Sequence, residues 1–533
     1  MLRGAEMIAM AFAFVRAPCV RLRSFYPISS FAKVHFQRAE AAEKISPSET
    51  EVEPLPFNEI PGPQGKYVPA IEFYRVSEGF TKTYKLTDKL FNQYGPIFKQ
   101  SVSDRSPVVH VMDPVDIQTV FRAEGKYPYR PPVDALIEVR RRKGMFLGIE
   151  NLNGKEWQRV RQAVAPKLMR PKVLEENIDN FNAVTKDTLE HFAKLKETSG
   201  LGEEIPDLEG ELSKWATESV GTLAFDARVG LYNDPPSEEA LRFIGSIHVI
   251  FQSLHAFVFG IVEKNLFQYM KTPNFVKLER ASDTALEIAR GYIDRKMKDL
   301  EEMAHKGSDD SQESEAVSLL TYLLTREDLT PEEIYANTFT LFAAGVDTTS
   351  YTTLWALYHL ARNQEIQQIL YQEIFGILGK DGDVTAGSLA KLSYLKACVK
   401  ESARLTPIFP SNRRVLDKDV VLSGYLVPAQ TMIQMEFFAT AASEKYFKNA
   451  LEYKPERWLR ENKKNIDPFA FLPFGFGPRM CIGSRVAELE TYLLVAKVIQ
   501  RFRLEYHHEP LEMYQKMSAV PEKPVRIKFI DRH

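Results

Sequence analysis

The stretch Pro473-Phe474-Gly475-Phe476-Gly477-Pro478-Arg479-Met480-Cys481-Ile482-Gly483 restricts the fold of this chain more than any other part of it. Glycines at 475, 477 and 483 allow a tight backbone path around one sulfur. The amphipathic text from Ser484 to Phe502 then reads as a helix that begins beside that sulfur. Backbone N–H groups and a helix N-terminus stabilise a thiolate. Phe474 can shield the sulfur, and Arg479 can meet an acidic group of a cofactor. A lone cysteine in a glycine-rich turn is usually inert, so the case rests on the matching chemistry around it. The other cysteines, Cys19 and Cys398, are distant and form no C-x-x-C pair, which argues against a disulfide framework or a cysteine zinc site.

A second constraint lies upstream. Thr330-Pro331-Glu332-Glu333 has the grammar of a helix start: Thr as N-cap, Pro in the first turn, Glu three positions after the cap. Apolar text carries this helix to Leu360, but its middle, Ala344-Gly345-Val346-Asp347-Thr348-Thr349, breaks the rules for a buried helix. Interior glycine costs about 1 kcal/mol, and threonine can bond back to preceding carbonyls and bend the helix. Local rules fail where function intrudes. A groove opened at Gly345 would seat a small ligand, Thr348 would hydrogen-bond it, and Asp347 would relay protons. The plain alternative is a Ser/Thr kink without chemistry.

Leu392–Leu405 reads as a helix stopped by Pro407. Glu401 and Arg404 are three apart and share a face, and Pro455-Glu456-Arg457-Trp458 can add a second guanidinium to Glu401. An exposed pair of this kind is worth less than about 1 kcal/mol; a buried trio would form a structural lock beneath the cysteine loop. Most of the remaining text has helical periodicity. Strand-like text is confined mainly to Val108–Met112, Val420–Val427, Thr431–Met435 and Val525–Phe529. The expected class is mainly α with small β-sheets.

With these motifs in order, the sequence resembles the cytochrome P450 family from about Phe57 to the C-terminus. F-x-x-G-x-R-x-C-x-G is matched by Phe474, Gly477, Arg479, Cys481 and Gly483, and E-x-x-R by Glu401 and Arg404. Pro455 to Trp458 match P-E-R-[FW], and Ala344 to Thr349 match A-G-x-[DE]-T-[TS]. The resemblance implies one haem-containing domain over 66–533, haem b as cofactor, and Cys481 as the ligand to its iron. It implies haem-edge roles for Trp157, Arg161, Arg414 and Arg479, and a monooxygenase that uses O₂. YLKACVKESARLTP and PFAFLPFGFGPRMCIG are most similar to the mitochondrial branch and its vitamin D 24-hydroxylase. In that branch Lys396, Lys400 and Arg485 match cations that dock an adrenodoxin-type [2Fe-2S] ferredoxin, itself served by a reductase. Ser484 stands where a second arginine is usual, which leaves the expected patch one charge weaker.

The first residues fit that compartment. Arg3, Arg16, Arg21, Arg23, Lys33 and Arg38 lie among apolar and hydroxyl residues with few acids, the pattern of a mitochondrial presequence over about 1–40. A linker over 41–65 follows, with a Pro-rich hinge. The expected location is the matrix side of the inner mitochondrial membrane, with peripheral contact to it. Residues 243–262 are apolar enough to suggest a span, but His248, Gln252, Ser253 and His255 argue for a helix pair that is buried or dips into the bilayer. A net charge of −2 gives no basic field for nucleic acid. The polar run 301–316 reads as an exposed connector, and Arg140 to Lys143 as a solvated face. Candidate pocket segments are Met145–Leu147, Phe251–Phe259, Thr338–Phe342 and Ile408–Ser411, suited to a lipophilic substrate such as a sterol or secosteroid. A haem-thiolate isomerase and a non-catalytic haem or lipid carrier are the rival readings. The acid–alcohol pair Asp347–Thr348 speaks against both.

Overall fold

The computed structural model describes residues 53–63, 68–101, 107–170, 172–225, 227–258, 263, 266–305 and 318–532. The chain divides into Met1–Pro54 and Leu55–His533. The expected leader falls outside the described residues, and everything below concerns the second unit.

The helix expected after Thr330 forms the spine of the core, Pro331–Arg362. Its start is a capping box: the Glu333 N–H donates to Thr330 Oγ1 at 3.3 Å, and the Thr330 N–H donates to Glu333 Oε2 at 2.9 Å. Two orphan N–H groups of the first turn are thereby satisfied. Against this spine packs Leu208–Phe225, a helix buried on nearly every side, whose buried Glu218 is satisfied by Arg228 and the Val229 N–H. The helices Ser393–Leu405 and Ser484–Arg501 pack on its other flank. Between them they bring the charged helix and the cysteine loop to one end of the core.

A four-stranded sheet lies beside the helices, in the order Ile97–Gln100, Val108–Val111, Met432–Met435, Asn412–Val415. Its central pair is parallel, with Val108 opposite Met432, and the flanking pairs are antiparallel. Ile97–Gln100 and Asn412–Val415 were not expected as strands; the latter reads Asn-Arg-Arg-Val, and its polar text hides a strand whose arginines are used inward. Val420–Leu422 and Tyr425–Val427 form a hairpin around Ser423-Gly424, both at positive φ. The C-terminal strand begins later than expected, at Lys528.

The Pro-rich segment is no free hinge. The Leu55 N–H donates to Gly424 O at 2.9 Å, and Pro61 O accepts from the Lys99 N–H at 2.8 Å, so the segment is stitched to the strands. The apolar run after residue 238 is one helix, Glu238–Val258, rather than a pair up to Val258, with 259–262 outside the described residues. It is long and apolar enough to cross a membrane, yet Phe243, Ile247, Ile250, Leu254 and Phe257 on one face are buried in the protein. The helix Pro273–His305 runs into the segment expected as a connector, whose remainder lies outside the described residues. The basic run is not simply solvated either: Arg140 is buried and donates to Thr340 Oγ1, Arg141 and Arg142 pair with Glu138, and Lys143 pairs with Asp283.

Candidate active site

The cysteine loop needs its glycines at defined places. Gly475 and Gly477 have φ of 71° and 76°, a region that costs other residues about 1–2 kcal/mol. The turn closes with the Met480 N–H on Gly477 O at 3.0 Å and the Cys481 N–H on Phe474 O at 2.9 Å. Phe474 thus holds the loop through its carbonyl. Cys481 is a free cysteine with exposed surface, at the same time crowded by neighbouring atoms. Burial among the surrounding atoms pushes its pKa up, while the Gly483 N–H, Arg161 and Arg130 oppose that shift.

Guanidinium groups crowd this end of the core. The Arg161 guanidinium donates to Met480 O at 2.9 Å, on the loop itself. Arg479 donates to Pro128 O at 2.7 Å and Leu152 O at 2.6 Å, and lies over the Trp157 ring at 4.3 Å. Trp157 therefore supports Arg479 rather than standing alone. Arg414 is 1% exposed and pairs with Glu124 at 2.5 Å. Arg130, in the loop before Pro131, was not anticipated; it carries no helical or spacing signal. Burial and the fields of Arg130, Arg414 and Arg161 hold the Arg479 pKa down to about 9, against the opposing pull of Glu124. Glu124 Oε2 has no hydrogen-bond partner among the described residues. Converging cations with so little counter-charge fit a dianionic group such as the paired carboxylates of haem b.

The central helix supplies a wall that fits the same group. Within its buried middle, Ala344 is exposed and Leu341, Gly345, Thr348 and Thr352 are half-buried, one continuous stripe. Thr348 Oγ1 donates to Ala344 O at 2.7 Å, and the helix continues without a break. The expected groove at Gly345 is corrected: a Cβ there would meet Val220 Cγ2 at 2.6 Å. Glycine is needed because Leu208–Phe225 approaches closely, and the open position is Ala344. Asp347 is about 100° round the helix from Thr348. It is buried and faces the helix Glu238–Val258, with His248 Nε2 3.2 Å from its Oδ1.

Below the loop, Glu401 and Arg404 are both 0% exposed and make a bidentate pair at 2.9 and 2.8 Å. Arg457 Nε, the Lys454 N–H and, unanticipated, Trp458 Nε1 also donate to Glu401, at 2.9, 3.0 and 2.9 Å. Arg404 and Arg457 spend their remaining donors on carbonyls of 441, 448 and 449. Every strong donor and acceptor of the lock is occupied, which is what makes a buried ion pair tolerable.

The model of the family named Cytochrome P450 matches residues 65–529. The chain belongs to the cytochrome P450 family. Among its relatives, the mitochondrial 1,25-dihydroxyvitamin D(3) 24-hydroxylase of Mus musculus is 32% identical over 95% of each chain. Cytochrome P450 10 of Lymnaea stagnalis is 32% identical over 91% of this chain and 88% of its own. The probable cytochrome P450 12a5, mitochondrial, of Drosophila melanogaster is 34% identical over 84% and 85%. The chain is thus a P450 monooxygenase with haem b as its cofactor, similar to mitochondrial members.

On this P450 the expected docking cations converge from separate elements. Lys396 and Lys400 lie on Ser393–Leu405 and Arg485 on the helix after the cysteine, and all three act on Glu488. Lys463, at the end of the short helix Arg460–Lys463, repels Lys400 and adds a cation that spacing could not reveal. Ser484 is buried at the start of its helix, so its side chain does not face the patch. Of the pocket segments, Phe146 and Phe409 present exposed rings, whereas Phe342 is fully buried and stacks on Phe243.

Proposed function

We propose that this P450 hydroxylates a lipophilic substrate of the sterol or secosteroid class on the matrix side of the inner mitochondrial membrane, with electrons from an adrenodoxin-type [2Fe-2S] ferredoxin and its reductase. The observation that carries the electron-donor reading is the convergence of Lys396, Lys400 and Arg485 around Glu488, with Lys463 from a third element beside Lys400. Such a patch steers an acidic partner and sets its register. The relatives named as mitochondrial hydroxylases, one of them acting on 1,25-dihydroxyvitamin D(3), support the compartment and the substrate class. The rings of Phe146 and Phe409 suit a largely apolar molecule.

Haem b held through the Cys481 thiolate supplies O₂ activation and C–H oxidation. The chain's own residues do the rest. Arg130, Arg161 and Arg479, the last fixed by Trp157, hold the cofactor's carboxylates, and Arg414 keeps its charge behind them against Glu124. Gly477 and Gly475 shape the turn that presents the sulfur, and Phe474 closes it. The Glu401–Arg404–Arg457 lock keeps that turn in place. Thr348 presents its hydroxyl on the exposed stripe beside Ala344, and Asp347, one residue back, is the acid that relays protons towards it through water.

The test is reconstitution with purified adrenodoxin, its reductase and a panel of sterols and secosteroids, products being read by mass spectrometry. Lys396→Gln with Lys400→Gln should raise the KM for ferredoxin at least tenfold and flatten its salt dependence. Turnover with a diflavin reductase but none with ferredoxin would reject the electron-donor reading. Oxidation of no panel member, under conditions where ferredoxin reduces the haem, would reject the substrate class.

A further inference from the structure

The acid of the central helix has a partner that sequence spacing does not pair with it. His248 Nε2 lies 3.2 Å from Asp347 Oδ1 and 3.3 Å from Ser213 Oγ, so three helices meet at one polar point: Leu208–Phe225, Glu238–Val258 and Pro331–Arg362. The exposures decide what this point can do. The Asp347 side chain is 4% exposed and that of His248 is 30% exposed, so the ring touches both the buried acid and water. We propose that His248 is the positioning residue that delivers protons from solvent to Asp347 and holds its carboxylate ready to receive them. The proposal rests on the reading of Asp347 as the proton donor of the site.

The step balances simply. The imidazolium passes its Nε2 proton to the Asp347 carboxylate, leaving a neutral ring and a neutral acid, and the ring regains one proton from water. No electrons move. Charged and titratable groups that act on the point are Asp207 and Glu209 before and in the first turn of Leu208–Phe225, Tyr351 one turn beyond Asp347, and Lys516 from the C-terminal region. Asp207 is exposed and Glu209 and Lys516 are half-buried. Burial pulls the His248 pKa down and Lys516 adds to that, but the neighbouring Asp347, helped by Asp207, outweighs both and raises it above the ordinary 6.5. The ring therefore holds its proton more readily than a free imidazole does, as a proton donor must.

A structural ion pair predicts the same contact but different chemistry, and two measurements separate them. Histidine side-chain NMR of the whole enzyme in its reduced, carbon monoxide-bound, diamagnetic form should show His248 titrating above 6.5, falling in Asp347→Asn. A His248 that titrates identically in both would overturn the proposal, since the pair would not exist in solution. The second measurement is the share of consumed O₂ recovered as hydrogen peroxide, with electrons from a light-driven ruthenium reductant so that neither ferredoxin nor substrate is assumed. Wild type should release little peroxide below the measured His248 pKa and several-fold more above it. His248→Gln should release the high share at every pH. If His248→Gln keeps the wild-type share and pH profile while Asp347→Asn releases more peroxide, the proposal is wrong and the reading of Asp347 survives. If Asp347→Asn itself matches wild type, both fall.

Discussion

Glu401 and Asp347 are both buried carboxylates on core helices, and their surroundings could hardly differ more. Glu401 accepts from two guanidiniums, an indole and a backbone N–H, and is sealed from water with Arg404. Asp347 has one ionisable contact among the described residues, the half-exposed His248 at 3.2 Å, and its Oδ1 has no hydrogen-bond partner there. A carboxylate held by fixed donors cannot exchange protons without breaking the fold. One left with a single titratable neighbour can. Saturation marks the structural acid, and its absence marks the chemical one.

The largest expected effect follows from saturation. Glu401→Ala leaves two buried guanidiniums without their acid and should cost about 3–5 kcal/mol. Chemical denaturation of the haem-loaded protein, followed at the Soret band, would measure it. A loss below 1 kcal/mol would mean that the lock is ornamental. By the same contrast Asp347→Asn should change stability by no more than about 1 kcal/mol, because His248 keeps its contact with water. If the two substitutions destabilise equally, saturation does not distinguish the two acids.

Between these lies the backbone of the cysteine turn. Gly477 sits at φ 76°, and a Cβ there would meet only Glu124 Oε2 at 3.4 Å, an ordinary contact at its near limit. Gly477→Ala should therefore cost the conformational penalty alone, about 1–2 kcal/mol. Gly345→Ala has an ordinary helical φ but a 2.6 Å clash with Val220, and overpacking of that kind costs about 1–3 kcal/mol. The pair separates strain from collision: Val220→Ala should rescue Gly345→Ala and leave Gly477→Ala untouched. Failure of that rescue would put the cost of Gly345→Ala elsewhere.

What could be read in the sequence divides along the same line. Spacing of three or four residues lies within one helix or one turn, so the Thr330 capping box, the Glu401–Arg404 pair and the glycine path around Cys481 are all local facts. Long-range partners are not. Trp458 reaches Glu401 through a turn that brings another segment under the helix, and His248 reaches Asp347 only because two helices cross. Arg130 sits in a loop before proline, with no period to expose it. The strand Asn412–Val415 hides because its arginines face partners instead of water: Arg413 Nε donates to Gln434, and Arg414 pairs with Glu124. Gly345 misleads for a related reason. A glycine in a helix marks close approach, but sequence cannot say whether a ligand or another helix does the approaching.

A third buried acid tests whether the contrast extends beyond this pair. Glu490, on the helix after the cysteine, is 1% exposed and neither of its oxygens has a hydrogen-bond partner among the described residues. Burial alone pushes its pKa well above the ordinary 4.5. The sign follows from proton binding. Above pH 4.5 the unfolded chain releases this proton while the folded protein keeps it, so stability falls as pH rises towards the folded pKa. Below pH 4.5 both states are protonated and the contribution is fully favourable. Glu490→Gln removes the ionisation and nearly preserves the shape. It should therefore stabilise the protein more at pH 8 than at pH 5, an effect opposite in sign to that of Glu401→Ala. Unfolding midpoints of wild type and variant at the two pH values decide the matter. An equal shift at both would mean that Glu490 shares a partner in solution and belongs with the saturated acids.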